Sequence, residues 1–288
     1  MALTPVPPPT AASATSRKPS RAASYQAWAV IIGFAPAAFI LYFGPRLPFG
    51  NIALSAAISA LFALIAWLLR GVNASGALAG FAIAFTFYLA GGTLERGWRG
   101  FAVLLFVFVL TWAATRAGNG RKAARGIAEP GHGRDAPQVV ANVGLAAYAL
   151  LLPLPPLALC CAIAVLAEAA ADTCSSELGK AFGGKTVLIT NGRRVAPGTD
   201  GGISLLGVVS AIVSAAAVCS LAAVIGALPR GATTRVTIAA VLATFLDSLL
   251  GATLEGKVWM NRVWLNNDAV NLLSTAAAAF FALVLCLY

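Results

Sequence analysis

The sequence predicts an all-α integral membrane protein, a polytopic bundle of about nine transmembrane helices with its N-terminus in the cytoplasm. Of its 288 residues, 59% are hydrophobic and 10% are charged, whereas a soluble globular domain carries about 25% charged residues. So few charges cannot cover the surface of a soluble protein of this length. The mean hydropathy of +0.84 indicates the same class, and the distribution of Lys and Arg along the chain supplies an independent test.

The N-terminal segment, residues 1–26, is rich in Pro, Ala and Ser and contains basic but no acidic residues. This composition predicts a disordered basic tail, and positive charge favours retention of such a tail in the cytoplasm. An organelle transit peptide is the alternative. Residues 27–288 are predicted to form a single transmembrane helical domain.

Apolar runs of the length needed to cross a bilayer, about 17–25 residues, recur after this segment. The run 136–167 is too long for one span, and Pro153, Pro155 and Pro156 divide it into two. The predicted spans are residues 28–43, 51–69, 71–92, 100–115, 136–152, 157–167, 202–228, 236–254 and 269–288.

Lys and Arg fall mostly on one side of this arrangement. Fifteen of the 20 Lys and Arg residues lie in the tail and in loops of the same side, which is predicted to be cytoplasmic because cytoplasmic loops carry an excess of these residues. The net charge of +10 then reports membrane orientation, and nucleic-acid binding is not expected. The five Cys and one His form no CxxC motif or Cys/His cluster, which argues against structural zinc and a disulfide framework.

Acidic residues stand at the cytoplasmic end of the sixth predicted span. Carboxylates such as Asp172 and Glu177 are costly there unless they are paired or bound to an ion. Mg²⁺ binds one or two carboxylates together with phosphate oxygens of a substrate. We predict that Asp172, Glu177 and Asp247 bind Mg²⁺ and serve catalysis. Thr173 and Ser176 are predicted to bind substrate phosphate, and ordinary helix-terminal ion pairs are the alternative for this cluster.

The eighth predicted span carries a polar stripe on one helix face, with members at i, i+3, i+4, i+7 and i+11: Thr244, Asp247, Ser248, Gly251 and Glu255. Asp247 lies deep in an apolar run, which makes it a functional candidate, and Ser248 is predicted to contact substrate. Asn267, Asp268 and Asn271 open the last helix and are also predicted to bind phosphate. Ordinary helix capping would select Asp268 as well.

Two further segments contain candidate phosphate ligands. In the first, Gln138 and Asn142 enter an apolar helix on one face, and polar groups at membrane depth need partners. In the second, residues 191–204, arginines offer positive charge, glycines let backbone N–H groups approach an anion, and a following helix N-terminus can hold phosphate. The predicted phosphate-binding residues of both segments are Arg134, Asp135, Gln138, Asn142, Arg193, Arg194, Gly198, Thr199, Gly201 and Ser204. For the second segment, a turn-rich connector with orienting arginines is the alternative.

Residues 179–186 match the nucleotide-binding pattern GxxxxGK[ST]. That pattern binds phosphate only between a strand and a following helix of an α/β domain. Here an apolar helix precedes it and residues 187–190 favour an extended strand, so a P-loop is not predicted.

Four blocks of the chain, in order, resemble the phytyl-phosphate kinase family of integral membrane proteins, which comprises the plastid enzyme of vitamin E biosynthesis and bacterial, archaeal and animal relatives. The blocks are GRDAPQVVANVG, ADTCSSELGKAFGGKTVLITNGRRVAPGTDGGISLLG, FLDSLLGATLE and NNDAVNLLST. The resemblance covers about residues 71–287. Glu168 and the pair Lys185 and Thr186 are not features of the family.

The resemblance implies phosphorylation of an isoprenoid monophosphate, such as phytyl phosphate, to its diphosphate by a nucleoside triphosphate. Related isoprenoid-alcohol kinases use CTP, which favours CTP as donor. The expected cofactor is Mg²⁺, and the expected location is the bacterial cytoplasmic membrane, or a plastid membrane in a photosynthetic eukaryote. A lipid cytidylyltransferase and a transporter or flippase of anionic lipid are the alternatives, and the sequence carries no indication of oligomeric state.

Overall fold

The computed structural model describes residues 20–44, 46–91, 94–128, 131–256, 258–259, 262–263 and 265–287. Its helices are α1 (Ser20–Phe43), α2 (Phe49–Leu68), α3 (Ala74–Ala90), α4 (Leu94–Arg116), α5 (Asn119–Ala124), α6 (Ala136–Val139), α7 (Leu145–Ala149), α8 (Pro155–Phe182), α9 (Leu205–Val224), α10 (Thr233–Thr253) and α11 (Asn267–Leu287). A π-helical turn (Val140–Gly144) joins α6 to α7, and a 3₁₀ turn (Arg230–Ala232) precedes α10. The strands are β1 (Thr186–Leu188), β2 (Arg194–Val195), β3 (Gly202–Ser204), β4 (Val258–Trp259) and β5 (Arg262–Val263).

Helix α8 lies at the centre of the bundle and packs against α4, α7, α9, α10 and α11. Of its most apolar stretch, 83% is buried within the protein, compared with 22% for α1 and for α2. Small side chains such as Ala164, Ala167 and Ala171 are fully buried along α8, and such residues let helix backbones approach closely in a membrane. The outer helices instead expose large apolar side chains, among them Trp28 and Phe49, which lipid would contact.

Among the described residues, seven helices are long and apolar enough to cross a membrane: α1, α2, α4, α8, α9, α10 and α11. Helix α3 is shorter, with 17 residues. The fifth predicted span is the segment from α6 to α7, which is about 20 Å long at about 1.5 Å per residue and does not reach the thickness of about 30 Å of a hydrocarbon core. The prediction of an all-α transmembrane protein is confirmed, and nine is an approximate count of its spans.

The first helix begins earlier than predicted. Helix α1 begins at Ser20, within the segment 1–26 that was predicted to be a disordered tail. The sequence after Ser20 is Arg-Ala-Ala-Ser, and alanine and arginine are good helix formers, so the helix extends beyond its apolar part, which begins at Tyr25. Residues 1–19 of the predicted tail lie outside the described residues.

The segments predicted to lie on the basic side gather at one end of the bundle. There Val72 pairs with Arg134 and Glu255 pairs with Leu265 through isolated β-bridges. At the opposite end, Arg99 Nη1 donates a hydrogen bond to the carbonyl oxygen of Gly226 at 3.5 Å. We call the first end the polar end; its cytoplasmic location stays a prediction.

A small antiparallel sheet with the order β2-β1-β3 lies at the polar end, between α8 and α9. Thr186 is the central partner, opposite Val195 on one side and Ser204 on the other. The P-loop-like residues 179–186 thus begin within α8 and end on β1, so a helix precedes a strand. This order is the reverse of the one that a P-loop requires.

Candidate functional site: two cavities beside one helix

A polar cleft of about 150 Å³ opens at the polar end, where α8 and α10 end. Its walls are the last turns of α8, strand β1, the turn before β3, the start of α9, the end of α10 and the first residue of α11. Nine residues that were predicted as site residues line this cleft: Asp172, Ser176, Gly198, Thr199, Gly201, Ser204, Asp247, Ser248 and Asn267.

Carboxylates dominate the lining of the polar cleft. Asp172 and Asp247 interact electrostatically across it, and Asp200 and Glu255 also line it, with Lys180 as the cation. Burial raises the pKa of Glu255, and the negative charges of Asp200 and Asp172 raise it further. The cleft therefore holds an excess of negative charge, which a bound cation would compensate.

Asp172 and Asp247 are the residues that could hold Mg²⁺. The Oδ2 atom of Asp247 is buried and has no hydrogen-bond partner within the described ranges. Among the same residues, no group of three or more His, Cys, Asp or Glu side chains is arranged to hold a metal ion by itself. Two carboxylates match the coordination preference of Mg²⁺, which completes its six oxygen ligands with water and substrate phosphate.

The turn before β3 fits closely against α10. Gly201 has φ of +71°, and a Cβ atom there would lie 2.3 Å from the Cβ of Ala252. Glycine is therefore required both for the left-handed backbone and for the contact. After the turn, the Ser204 hydroxyl accepts a hydrogen bond from the Gly207 N–H at 3.1 Å and caps α9. Part of the predicted phosphate-binding helix N-terminus is thus satisfied by the protein itself.

Glu177 was predicted as a catalytic metal ligand, but its side chain does not line the polar cleft. It is 2% exposed, and its Oε2 lies 2.5 Å from Nζ of Lys122, which is fully buried. Its Oε1 lies 3.2 Å from Nζ of Lys180. The predicted spans leave Lys122 in the loop between residues 115 and 136, whereas in the structure α5, which carries it, packs against α8. A buried lysine requires a counter-charge, and Glu177 supplies it.

Other predicted residues lie outside the polar cleft. Asp135 and Gln138 form a reciprocal capping box at the start of α6, which accounts for both side chains without a ligand. Thr173 is buried and accepts a hydrogen bond from Arg134 Nη2 at 3.2 Å.

The remaining predicted residues lie at the start of β2 and on α11. Arg193 and Arg194 are exposed. Asn271 is buried, and its carbonyl oxygen accepts hydrogen bonds from Ser274 and Thr275. Asp268, in the first turn of α11, interacts electrostatically with Asp135.

A second space, the apolar cavity, has a volume of about 330 Å³ and lies between α2, α3, α4, the π-helical turn and α8. Two predicted residues, Arg134 and Asn142, line it. Arg70 and Arg116 line it as well and were not predicted, because arginines at span ends are ordinarily attributed to membrane orientation. The residues missed in the polar cleft, Asp200, Lys180 and Glu255, did carry a signal, since each stands in a motif-bearing segment.

Residues 57–279 match the model of the family described as Integral membrane protein DUF92. The chain belongs to this family. It is 36% identical over 194 residues to the "Uncharacterized membrane protein sll0875" of Synechocystis sp., covering 65% of this chain and 74% of that protein. It is 29% identical over 233 residues to "Protein VTE6, chloroplastic" of Arabidopsis thaliana, covering 76% of this chain and 66% of that protein. No solved structure matches significantly.

These findings confirm the predicted family resemblance and the assignment to a membrane. One relative is bacterial and the other chloroplastic, which agrees with the two membranes expected from the sequence. The protein is an integral protein of a lipid bilayer.

Proposed function

We propose that the protein is a membrane-embedded phosphotransferase that converts an isoprenoid monophosphate, phytyl-like in character, to its diphosphate with a nucleoside triphosphate and Mg²⁺. CTP is the proposed donor. The family resemblance supports this reaction, and the arrangement of the two cavities gives it a physical basis.

The observation that carries the proposal is the position of the two cavities on neighbouring faces of α8. Ala169 lines the apolar cavity and Asp172 lines the polar cleft, and residues three and four apart are neighbours on a helix. Thr173, beside Asp172, is hydrogen-bonded to Arg134 of the apolar cavity at 3.2 Å. A lipid phosphate and a nucleotide phosphate bound on the two sides would therefore lie close together, as in-line transfer requires.

The transfer step uses few groups of the protein. An oxygen of the acceptor monophosphate attacks the γ-phosphorus of the nucleotide, and the bond from that phosphorus to the β-phosphate oxygen breaks. The lipid diphosphate forms and the nucleoside diphosphate leaves. Lys180 lines the cleft together with residues 198–202, and its ammonium group would neutralise and orient phosphate oxygens. Within the turn, the N–H groups of Thr199 and Gly202 already donate to the carbonyl oxygens of Ala196 and Thr199.

Mg²⁺ fits the carboxylates of the polar cleft better than phosphate alone does, because phosphate would be repelled by Asp172, Asp200, Asp247 and Glu255. When bound, a divalent cation neutralises charge on the transferring oxygens. Asp172 and Asp247 would hold it from opposite helices. Asp200 and Glu255 would add negative charge around it.

Product analysis tests the proposal. The full-length protein in nanodiscs is incubated with phytyl monophosphate, Mg²⁺ and either CTP or ATP. A kinase yields phytyl diphosphate and a nucleoside diphosphate, whereas a cytidylyltransferase yields a cytidylylated lipid and pyrophosphate. Asp172→Asn is expected to lower turnover by about a hundredfold or more. The matched variant Glu95→Gln makes a similar carboxyl-to-amide change at the N-terminal end of α4 (Leu94–Arg116) and is expected to keep wild-type turnover.

Three outcomes contradict the proposal. Pyrophosphate release would establish the cytidylyltransferase instead. Movement of the lipid phosphate across the bilayer without any product would establish a transporter or flippase. Equal turnover of wild type and Asp172→Asn would place the chemistry outside the polar cleft.

A further inference from the structure

We propose that the apolar cavity is the binding site of the acceptor lipid, with the isoprenoid chain inside it and the phosphate held at its mouth by Arg70, Arg116 and Arg134. This inference rests on the proposed function, since it identifies where one substrate of that reaction binds. It adds two residues, Arg70 and Arg116, that neither the motifs nor the polar cleft indicate.

The walls of the cavity suit a hydrocarbon chain. Its volume of about 330 Å³ is within the range of ligand pockets, about 300–1,000 Å³. Phe62, Ile83, Leu104 and Val107 line it. No Asp or Glu from the described parts of the chain lines this space, so none of those carboxylates would repel an anionic headgroup there.

The polar end of the cavity carries the three arginines. The loop after α2 and the loop before α6 are joined by backbone hydrogen bonds, from Asn73 N–H to the Arg134 carbonyl at 2.9 Å and from Arg134 N–H to the Gly71 carbonyl at 3.1 Å. Gly76 makes this approach possible, because a Cβ atom there would lie 2.2 Å from the Arg134 carbonyl oxygen. The backbone therefore holds Arg70 and Arg134 near each other although they are far apart in sequence.

Arg70 adopts an unfavourable backbone conformation. Its φ is +54°, and among the described residues it is the one amino acid other than glycine with positive φ. It follows the end of α2, a position where glycine is the usual residue. An arginine at a position that suits glycine points to a role for its side chain, because strained residues persist where function requires them.

The other two arginines are held in place by neighbours. Arg116 donates from Nη2 to the Leu69 carbonyl, and its guanidinium lies 4.1 Å from the ring centroid of Trp112. Arg134 is fixed by its hydrogen bond to Thr173. Each guanidinium has five N–H donors, so both keep donors for phosphate oxygens. Planar guanidinium groups match phosphate better than lysine does.

Arg70→Gly is the sharpest variant, because it removes the positive charge and also relieves the backbone strain. We expect the thermal stability of this variant to equal or exceed that of the wild type. Its affinity for phytyl monophosphate, measured with radiolabelled lipid on the full chain in nanodiscs, is expected to fall by about tenfold to a hundredfold. Arg134→Gln is expected to lose affinity in the same range. Arg230→Gln, at the opposite end of the bundle, is the matched control and is expected to bind as the wild type does.

Ligand variants distinguish the lipid from free phosphate. Inorganic phosphate and phytol are each expected to compete weakly, because each offers only one half of the site. Equal binding by phytol would exclude the arginines as headgroup ligands, and equal binding by inorganic phosphate would exclude the cavity. A phytyl phosphate with a photoreactive group at the chain end is expected to label α2, α3 and α4; labelling confined to other helices would overturn the proposal.

The binding assay separates this inference from the proposed function. Tight, arginine-dependent binding without any product would leave the lipid site in place and contradict the kinase. Normal turnover and unchanged phytyl monophosphate binding in folded Arg70→Gly and Arg134→Gln would leave the kinase in place and contradict this site.

Discussion

The two cavities beside α8 differ in charge and in the origin of their residues. Among the described residues, four carboxylates and one lysine line the polar cleft, while three arginines and no carboxylate line the apolar cavity. The first suits a cation and phosphates, and the second suits an anionic headgroup with a hydrocarbon chain. One helix thus separates two environments of opposite charge, and it contributes residues to both.

The comparison also shows why the sequence indicated the residues of only one cavity. Most residues of the polar cleft come from the segment 172–207 and the stripe 247–255, where polar residues interrupt apolar runs. The apolar cavity draws its arginines from positions 70, 116 and 134, each of which looks like an ordinary basic residue at a span end. Charged residues that interrupt an apolar run indicate a site, whereas basic residues at the ends of spans do not, because membrane orientation already accounts for them.

The largest effect on stability is expected for the buried ion pair beside the polar cleft. Glu177→Gln leaves Lys122 buried without its counter-charge, since the two side chains are 0% and 2% exposed. Breaking a buried pair in this way costs about 3–5 kcal/mol. We expect a loss of that size in the apparent free energy of unfolding, measured in mixed micelles.

A double variant decides whether Glu177 also serves the chemistry. Lys122→Met with Glu177→Leu removes both charges, and the stability is expected to return close to the wild-type value. Normal turnover in this stable variant would assign Glu177 a structural role as the partner of Lys122. Loss of turnover in a stable double variant would instead indicate that Glu177 has a catalytic role.

A smaller effect is expected at the turn that closes the polar cleft. Gly201→Ala combines a left-handed backbone, φ +71°, with a Cβ atom 2.3 Å from Ala252. Gly184→Ala is the matched control, with φ +65° and no described atom within 4 Å of its Cβ. The control is expected to lose about 1–2 kcal/mol of stability, and Gly201→Ala about 1–3 kcal/mol more because of the collision. Equal losses would show that the turn does not pack against α10 as described.

The smallest effect concerns the charge of the polar cleft. The raised pKa of Glu255 means that the folded protein keeps a proton which the unfolded chain loses, so stability falls as pH rises from the ordinary pKa of Glu through the raised one. Glu255→Gln is expected to flatten this fall. The gain in the free energy of unfolding of this variant is expected to be below about 1 kcal/mol, because the Glu255 side chain is partly solvated.

Melting temperatures against pH, with and without MgCl₂, measure this effect. Mg²⁺ is expected to stabilise the wild type above this pH range and to stabilise Glu255→Gln less. Identical curves for the two proteins would mean that Glu255 does not contribute to the negative charge that a cation compensates. The apolar cavity offers the contrast, since Arg70→Gly is expected to leave the response to Mg²⁺ unchanged.

The sequence by itself determined the membrane-spanning class, the approximate span number and most of the polar cleft. These features depend on local properties of the sequence. An apolar run of sufficient length prefers lipid, and a carboxylate such as Asp247 within such a run is costly, which marks it as a functional candidate. Glu255 and Asp200 stand in the same motifs, so the sequence carries a signal for them as well. The shortness of the fifth span was less predictable, because the run 136–152 is apolar apart from Gln138 and Asn142 and has about the length that a bilayer requires.

Only the tertiary structure decided which charges meet. Lys122 reaches Glu177 across 55 positions of the chain, and Arg134 reaches Thr173 across 39. Charged residues are tolerated at the end of any apolar helix, so the sequence pattern allows many pairings between them. The packing of the helices decides which of these pairs form. The role of Glu177 as a partner of Lys122, and the convergence of Arg70, Arg116 and Arg134 on one cavity, follow from how α4 and α5 pack against α8 and how α2 packs against α3.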